Sequence, residues 1–210
     1  MPIVEGVEQQ SVEWLQMRIG CVTGSRVADV MNMLKRGGES QRRKDYKSEI
    51  VCEILTGRAA EHYVTPAMEW GTDNEPLARA SYELEFDTEV TPVGFALHAS
   101  IDRFGASPDG LVGSDGLVEF KCPTTATHID NIINGCIPEQ YQWQMLAELA
   151  CTDRKWCDFV SFDPRLPKGL QLFVRRLDRD DERIKEMEEN VRNFLDEVAA
   201  VLLSLTKGRE

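Results

Sequence analysis

The sequence predicts an α/β (α+β) protein, a central mixed five-stranded sheet flanked by helices. Three observations predict it. Apolar residues recur at helical spacing through most of the first 84 residues. Between residues 90 and 121 the pattern changes to short apolar runs punctuated by Gly and Asp. From Ile184 onward one apolar stripe keeps the i, i+3, i+4, i+7 spacing for about 25 residues. A length of 210 residues suits one domain. Its parts are a helical stretch over 10–84, a sheet over 86–175 and a closing helix over 180–206.

Trp14 to Arg18 reads as a short helix that ends near Gly20. Ser25 to Leu34 reads as a second, with Val27, Val30, Met31 and Leu34 on one face and Thr23 or Ser25 as N-cap. Residues 35–43 form a loop rich in glycine and charge. Lys44 to Thr56 is a third helix, with Tyr46, Ile50, Val51, Ile54 and Leu55 inward and Gly57 as its stop. Thr65-Pro66 caps and opens a fourth, expected to reach about Leu84 and to be disturbed or split by Gly71 and Pro76. Strands follow at Val90 to Pro92, Gly94 to Leu97, Ala106 to Asp109 and Leu117 to Lys121, with Gly113-Ser114-Asp115-Gly116 as the turn between the last two. Helices return at about Ala126 to Ile133 and Pro138 to Ala150. Trp156 to Phe162 and Leu170 to Arg175 are two more strands, joined by loop 163–169. The last helix carries Ile184, Met187, Val191, Phe194, Leu195, Val198, Val201, Leu202 and Leu205 on one face.

Composition excludes several classes. With 42% hydrophobic and 29% charged residues the chain is not globally disordered. It has no apolar run long enough to cross a membrane, and its N-terminus lacks a basic region followed by an apolar core. A cytoplasmic protein is expected. Six cysteines without a CxxC pair and three scattered histidines argue against a zinc finger or a disulfide framework. Six buried or half-buried thiols are expected instead.

The net charge of −12 argues against passive coating of nucleic acid and against anionic membranes. The charge is uneven. Residues 61–130 carry a net −10, whereas residues 1–60 carry +1 and include Lys35, Arg36, Arg42, Arg43, Lys44 and Lys47 around Gly37-Gly38. The acidic middle is either a solvated surface or a place that expects cations.

Ser107-Pro108-Asp109-Gly110 and Glu119-Phe120-Lys121 sit in that acidic stretch. Strand alternation puts Glu119 and Lys121 on one face and Phe120 in the core. A turn between them lets Asp109 join the pair. Crowded carboxylates suit a hard divalent cation, Mg²⁺ or Mn²⁺, and a lysine beside its water suits phosphodiester hydrolysis. The same strings also fit an Asp-Gly turn and an exposed ion pair, and these seven residues leave both readings open. Glu75, on a helix that must pack on the sheet, adds an acid, and Gln144 adds a neutral group able to position water.

The ordered set of motifs resembles the phage lambda exonuclease family, also called the YqaJ-like viral recombinase family, within the PD-(D/E)xK nuclease superfamily. Its carriers are Gln16 to Gly20 with Thr23-Gly24-Ser25, Met68 to Gly71 with Glu75 and Ala78-Arg79, Ala106 to Leu111, Gly116 to Pro123, Tyr141 with Gln144, and Phe162 to Arg165. The resemblance covers roughly residues 10–175. It implies a restriction-endonuclease-like core and a 5′→3′ exonuclease on linear duplex DNA that releases mononucleotides and leaves a 3′ single strand. Asp109, Glu119 and the Phe120 carbonyl would bind two Mg²⁺ ions, with Glu75 assisting one. Lys121 would activate water and Gln144 would help place it. Arg18, Ser25 and, more weakly, Ser107 would hold a 5′-phosphate. Members form trimeric rings and work with a single-strand annealing protein in the bacterial host cytoplasm. A ring keeps an acidic enzyme on its track, with Arg42, Arg43, Lys44 and Lys47 as the DNA-facing surface. Glu75 is followed by Pro76, which puts its reach in question. The competing expectations are a structure-specific or single-strand nuclease with the same metal site, a non-catalytic DNA-binding module and an acidic DNA mimic.

Overall fold

The computed structural model describes residues 7–34, 36–60 and 64–207. Lys35 of the basic cluster and His62 lie outside them. Five strands form the main sheet in the order β2 (Val90–Thr91), β5 (Gly110–Val112), β6 (Gly116–Lys121), β7 (Trp156–Phe162), β8 (Leu172–Asp178). β6 and β7 run parallel and the other pairs are antiparallel, so the sheet is mixed as expected. A second, three-stranded sheet has the order β1 (Val22–Thr23), β4 (Phe104–Ala106), β3 (Ala96–Leu97). In place of the single strand expected over Ala106 to Asp109, the chain leaves one sheet at Ala106 and enters the other at Gly110.

Alternation along β6 divides the core. Val118 and Phe120 face α4 (Pro66–Phe86) in a cluster with Ala78, Tyr82, Val90, Val160 and Phe162. Leu117 faces the larger cluster, which joins the small sheet to α3 (Gln41–Thr56), α6 (Glu139–Thr152) and α7 (Asp181–Thr206). Glu119 and Lys121 share the Leu117 side, so α6 is the helix they meet.

The helices are made by ordinary local signals. Ser40, Thr65 and Asp180 cap α3, α4 and α7 through side-chain oxygens, and α3 ends on Gly57 in the left-handed region with φ of 64°. α4 runs unbroken through Gly71 and Pro76. Pro76 is exposed, so the lost backbone bond faces water rather than the core. The helix expected over Ser25 to Leu34 is cut to four residues. Gly24–Arg26 is a 3₁₀ turn and α2 covers only Val27–Val30. Gly37 and Gly38, with φ of 83° and 96°, turn the chain back so that Met33 bridges Glu39, which takes Met33 and Leu34 off the helix.

The remaining short helices are α1 (Val12–Arg18) and α5 (Thr125–Asn134). Cys52 and Cys136 are exposed, against the expectation of six buried or half-buried thiols. Among the described residues no helix is long and apolar enough to cross a membrane.

Candidate active site

Asp109 sits in the three-residue run that joins the two sheets. That run is held from three sides. Gln9 Nε2 donates to the Val93 and Pro108 carbonyls at 2.9 Å each, and Arg79 Nη2 donates to the Asp109 carbonyl at 2.9 Å. The Asp109 carboxylate accepts from the Phe120 amide at 2.6 Å, which brings it onto β6. Gly110 is not a turn glycine here. It lies in β5 without a positive φ, and a Cβ on it would come within 2.1 Å of Val90 Cγ1. Close passage of β2 therefore selects the glycine, and the Asp-Gly turn reading falls away.

Glu119 is buried and receives two donors on one oxygen. Lys121 Nζ and Gln144 Nε2 both donate to Oε1, the latter at 2.5 Å. Its other oxygen, Oε2, is buried with no hydrogen-bond partner among the described residues. Gln144 Nε2 also donates to Glu148 Oε1 at 3.0 Å. The Tyr141 ring lies 5.2 Å from Lys121 Nζ and stacks on Phe159.

Crowding shows in the protonation equilibria. Burial, then the charge of Glu119, raises the Asp109 carboxyl well above the usual range. Burial and Glu119 raise Glu75 as well, with Arg79 and Lys121 pulling the other way. Glu148 rises strongly for the same two reasons. Burial opposes the charged form of Lys121, but Glu119 and Asp109 outweigh it and hold its pKa above the normal value. Lys121 is thus a cationic donor among acids, not a ready proton acceptor.

These residues fit a hard divalent cation. The donors are carboxylate oxygens, one of which is buried and unpartnered, and their mutual repulsion is what a cation relieves. Among the described residues no group of three or more His, Cys, Asp or Glu side chains forms a preformed cage. Asp109 and Glu119 would be the first ligands; Glu75, whose carboxyl feels the charge of Glu119, forms no three-acid group with them among the described residues. Phe120 has its amide on Asp109 and its ring at 6.0 Å from that of Tyr82, which fixes the backbone between the two acids.

Arg18 and Ser107 are brought together, with a residue whose part in the pocket the sequence did not reveal. Trp14 Nε1 donates to Ser107 Oγ at 2.9 Å, Arg18 Nη1 reaches the same oxygen at 3.5 Å, and the guanidinium lies 3.9 Å over the Trp14 ring. Arg18 makes no ion pair among the described residues. It lines a cleft of about 380 Å³ with Thr23, Ser25, Arg26 and Tyr46. Ser25 is exposed and also borders a second groove of about 500 Å³ with Arg26, Arg42, Tyr141 and Gln144. The two recesses meet at Ser25 and run from Arg18 to Gln144. One expectation fails here. Ser25 stands in a 3₁₀ turn before a four-residue helix, too short to act as a helix N-terminal anion site.

The basic cluster divides. Arg43 is 3% exposed and binds Glu197 with two nitrogens, at 2.7 and 3.0 Å, as well as Glu39 and the Val30 carbonyl. Lys47 binds Glu39 and Glu197 too. Both are spent tying α3 to α7, which corrects their expected place on a DNA-facing surface. Lys44 is exposed, and Arg42 is 70% exposed, 3.1 Å from Asp29.

Glu148 was missed. Its signal was present: it stands four residues after Gln144 on one helix, where side chains meet.

The family described as YqaJ-like viral recombinase domain matches residues 13–155. Among solved structures, the alkaline exonuclease LHK-Exo from Laribacter hongkongensis shares 47% identity, with 94% of this chain and 97% of that one covered and a TM-score of 0.87. LHK-Exo in complex with dAMP gives 46% identity over the same shares and a TM-score of 0.88. A phage-related exonuclease from Haemophilus somnus 129PT is 16% identical over 89% of this chain and 96% of its own, TM-score 0.67, a likeness of fold alone. No curated protein matches.

Proposed function

The chain belongs to the YqaJ-like viral recombinase domain family, and on that premise we propose that it is a metal-dependent 5′→3′ exonuclease on linear duplex DNA. It releases 5′-mononucleotides and leaves 3′ overhangs that a single-strand annealing protein uses in recombination. The observation that carries the reading is Glu119 Oε2, buried and without a hydrogen-bond partner among the described residues, with Lys121 on the other oxygen of Glu119 and Asp109 on the neighbouring Phe120 amide. The dAMP complex of LHK-Exo supports a mononucleotide product.

A divalent cation, two Mg²⁺ with Mn²⁺ as substitute, would supply charge for the phosphate oxygens and lower the pKa of its water. The protein's own residues do the rest. Lys121 donates to the oxygen that attacks and steadies its developing charge. Gln144 holds that water in line. Arg18 and Ser107, with Ser25 at the junction of the recesses, hold the terminal 5′-phosphate. The Arg18 guanidinium, which makes no ion pair among the described residues, is available for bidentate phosphate recognition. Of the four cations expected on the DNA-facing surface, Arg42 and Lys44 are the exposed ones that would track the backbone. A ring-shaped homotrimer in the bacterial cytoplasm completes the proposal. Encirclement holds the DNA topologically, so a net charge of −12 is tolerated.

The test uses purified protein, Mg²⁺ and three DNAs: a linear duplex with 5′-phosphates, the same duplex with 5′-hydroxyls, and a closed circle. Mononucleotides should appear mainly from the first and vanish in Lys121→Ala. Cutting of the circle would move the protein to the endonuclease reading. No cleavage with Mg²⁺ or Mn²⁺ would favour a DNA-binding module.

A further inference from the structure

Glu148 is a buried carboxylate that the roles above leave unused. It is 1% exposed, in a helical run that is buried from Gln144 to Cys151. Such a group destabilises a fold unless it is paired. Its hydrogen-bond partners among the described residues are Gln144 Nε2 at 3.0 Å and Cys157 Sγ at 3.8 Å, and neither is a cation. No ion pair there repays its burial. Stability alone therefore gives no reason for an acid at this position.

Its geometry bears on Gln144. A carboxamide has two N–H donors on one end and a carbonyl acceptor on the other. The nitrogen of Gln144 spends one hydrogen on Glu119 Oε1 at 2.5 Å and the other on Glu148 Oε1 at 3.0 Å. Two acceptors converging on one atom settle the orientation of the amide. Flipped by 180°, it would aim its carbonyl oxygen at two carboxyl groups. With the nitrogen spent, the carbonyl oxygen is the polar atom left for the groove that Gln144 lines with Ser25, Arg42 and Tyr141.

We infer that Glu148 is a positioning residue: it pins the Gln144 carboxamide so that its carbonyl oxygen is free to accept a hydrogen bond from the attacking water. The catalytic half of this role rests on the nuclease reading, whereas the pinning of the amide does not. Glu119 alone gives the amide one anchor and leaves it free to rotate about that bond. The second anchor removes that freedom, and orientation of the water is lost without it.

The test compares Glu148→Met, which keeps the volume and removes the acceptor, with Glu148→Gln, which keeps an acceptor. Glu148→Met should lower kcat roughly tenfold to a hundredfold with KM for DNA ends unchanged. Its melting temperature should be no lower than that of the wild type, because an unpaired buried acid has been replaced by an apolar isostere. Glu148→Gln should recover most of kcat. In a Gln144→Ala background Glu148→Met should cost nothing further, since it acts through that side chain. Wild-type kcat in Glu148→Met, equal damage in Glu148→Gln, or the same loss without Gln144 would each overturn the role.

A second measurement does not depend on catalysis. The side-chain amide protons of Gln144, identified by their loss in Gln144→Ala, should exchange slowly with solvent in the wild type and in Glu148→Gln. They should exchange fast in Glu148→Met. Unchanged exchange defeats the pinning whatever the DNA assay shows. Slow exchange in a protein that cuts no DNA would fault the nuclease reading and leave the pinning standing.

Discussion

Asp109 works against the stability of the molecule that carries it. Its carboxyl is displaced upward by burial and by Glu119, so the ionised form at neutral pH costs folding free energy. Asparagine keeps an acceptor for the Phe120 amide and carries no charge. Asp109→Asn should therefore abolish cleavage while raising the stability of the metal-free protein by about 1–2 kcal/mol, read by calorimetry with a chelator present. A fall in stability would mean that the carboxylate is well paired without metal. Residues of this kind were legible in part. Asp109, Glu119 and Lys121 could be brought together because strand alternation and one turn suffice to place them. Trp14 and Glu148 could not, since Trp14 meets Ser107 across 93 positions and Glu148 became visible only once β6 was known to face α6.

At the scale of elements, charge proved a poor guide to surface. Arg42, Arg43, Lys44 and Lys47 are adjacent in sequence, but a helix sends them to different faces, and Glu197 on α7 claims two of them. Arg43→Met should cost about 2–3 kcal/mol in urea unfolding, less than for a fully enclosed pair because the Glu197 side chain is 40% exposed, and should leave KM for DNA nearly unchanged. Arg42→Ala should do the reverse, raising KM at unchanged stability. Equal effects of the two on KM would restore the single basic surface expected from the sequence. Capped helices such as α3, α4 and α7 were legible because their signals are local. The helix expected over Ser25 to Leu34 was not, because its apolar spacing is shared by residues that a Gly37-Gly38 turn draws into a separate bridge.

At the scale of the whole molecule, a mixed sheet was legible from period changes apart from β5, whereas the gathering of β1, β3 and β4 into a second sheet was not, although a strand was expected at Gly94 to Leu97. Its strands are two or three residues long, too short to show alternation. Long-range ties then decide how the layers hold. Asp163, at the end of β7, accepts from Thr125 on α5 at 2.6 Å and from Arg165 through both oxygens, and Arg165 lies over the Trp70 ring of α4. Chiefly through the Arg165 bonds, the Asp163 carboxyl is lowered to about 2. A depressed acid contributes stability above its unfolded value of about 4 and loses it as pH falls through the folded value. The urea midpoint of the wild type should therefore drop more steeply between pH 4 and pH 2 than that of Asp163→Asn. Parallel curves would show that the tie does not matter to folding.

The joint between the two sheets has a further consequence. Arg18 leads into β1 of the small sheet, Glu119 belongs to the large one, and Asp109 ends the short run Ser107-Pro108-Asp109 that links β4 to β5. On the proposed reading, in which the enzyme grips a terminal phosphate and cuts at the next one, the docking of the sheets would be a ruler. Its graduation would be set by neither sheet alone but by how Gln9, Arg79 and Trp14 clamp the seam, in packing distant from the reacting atoms.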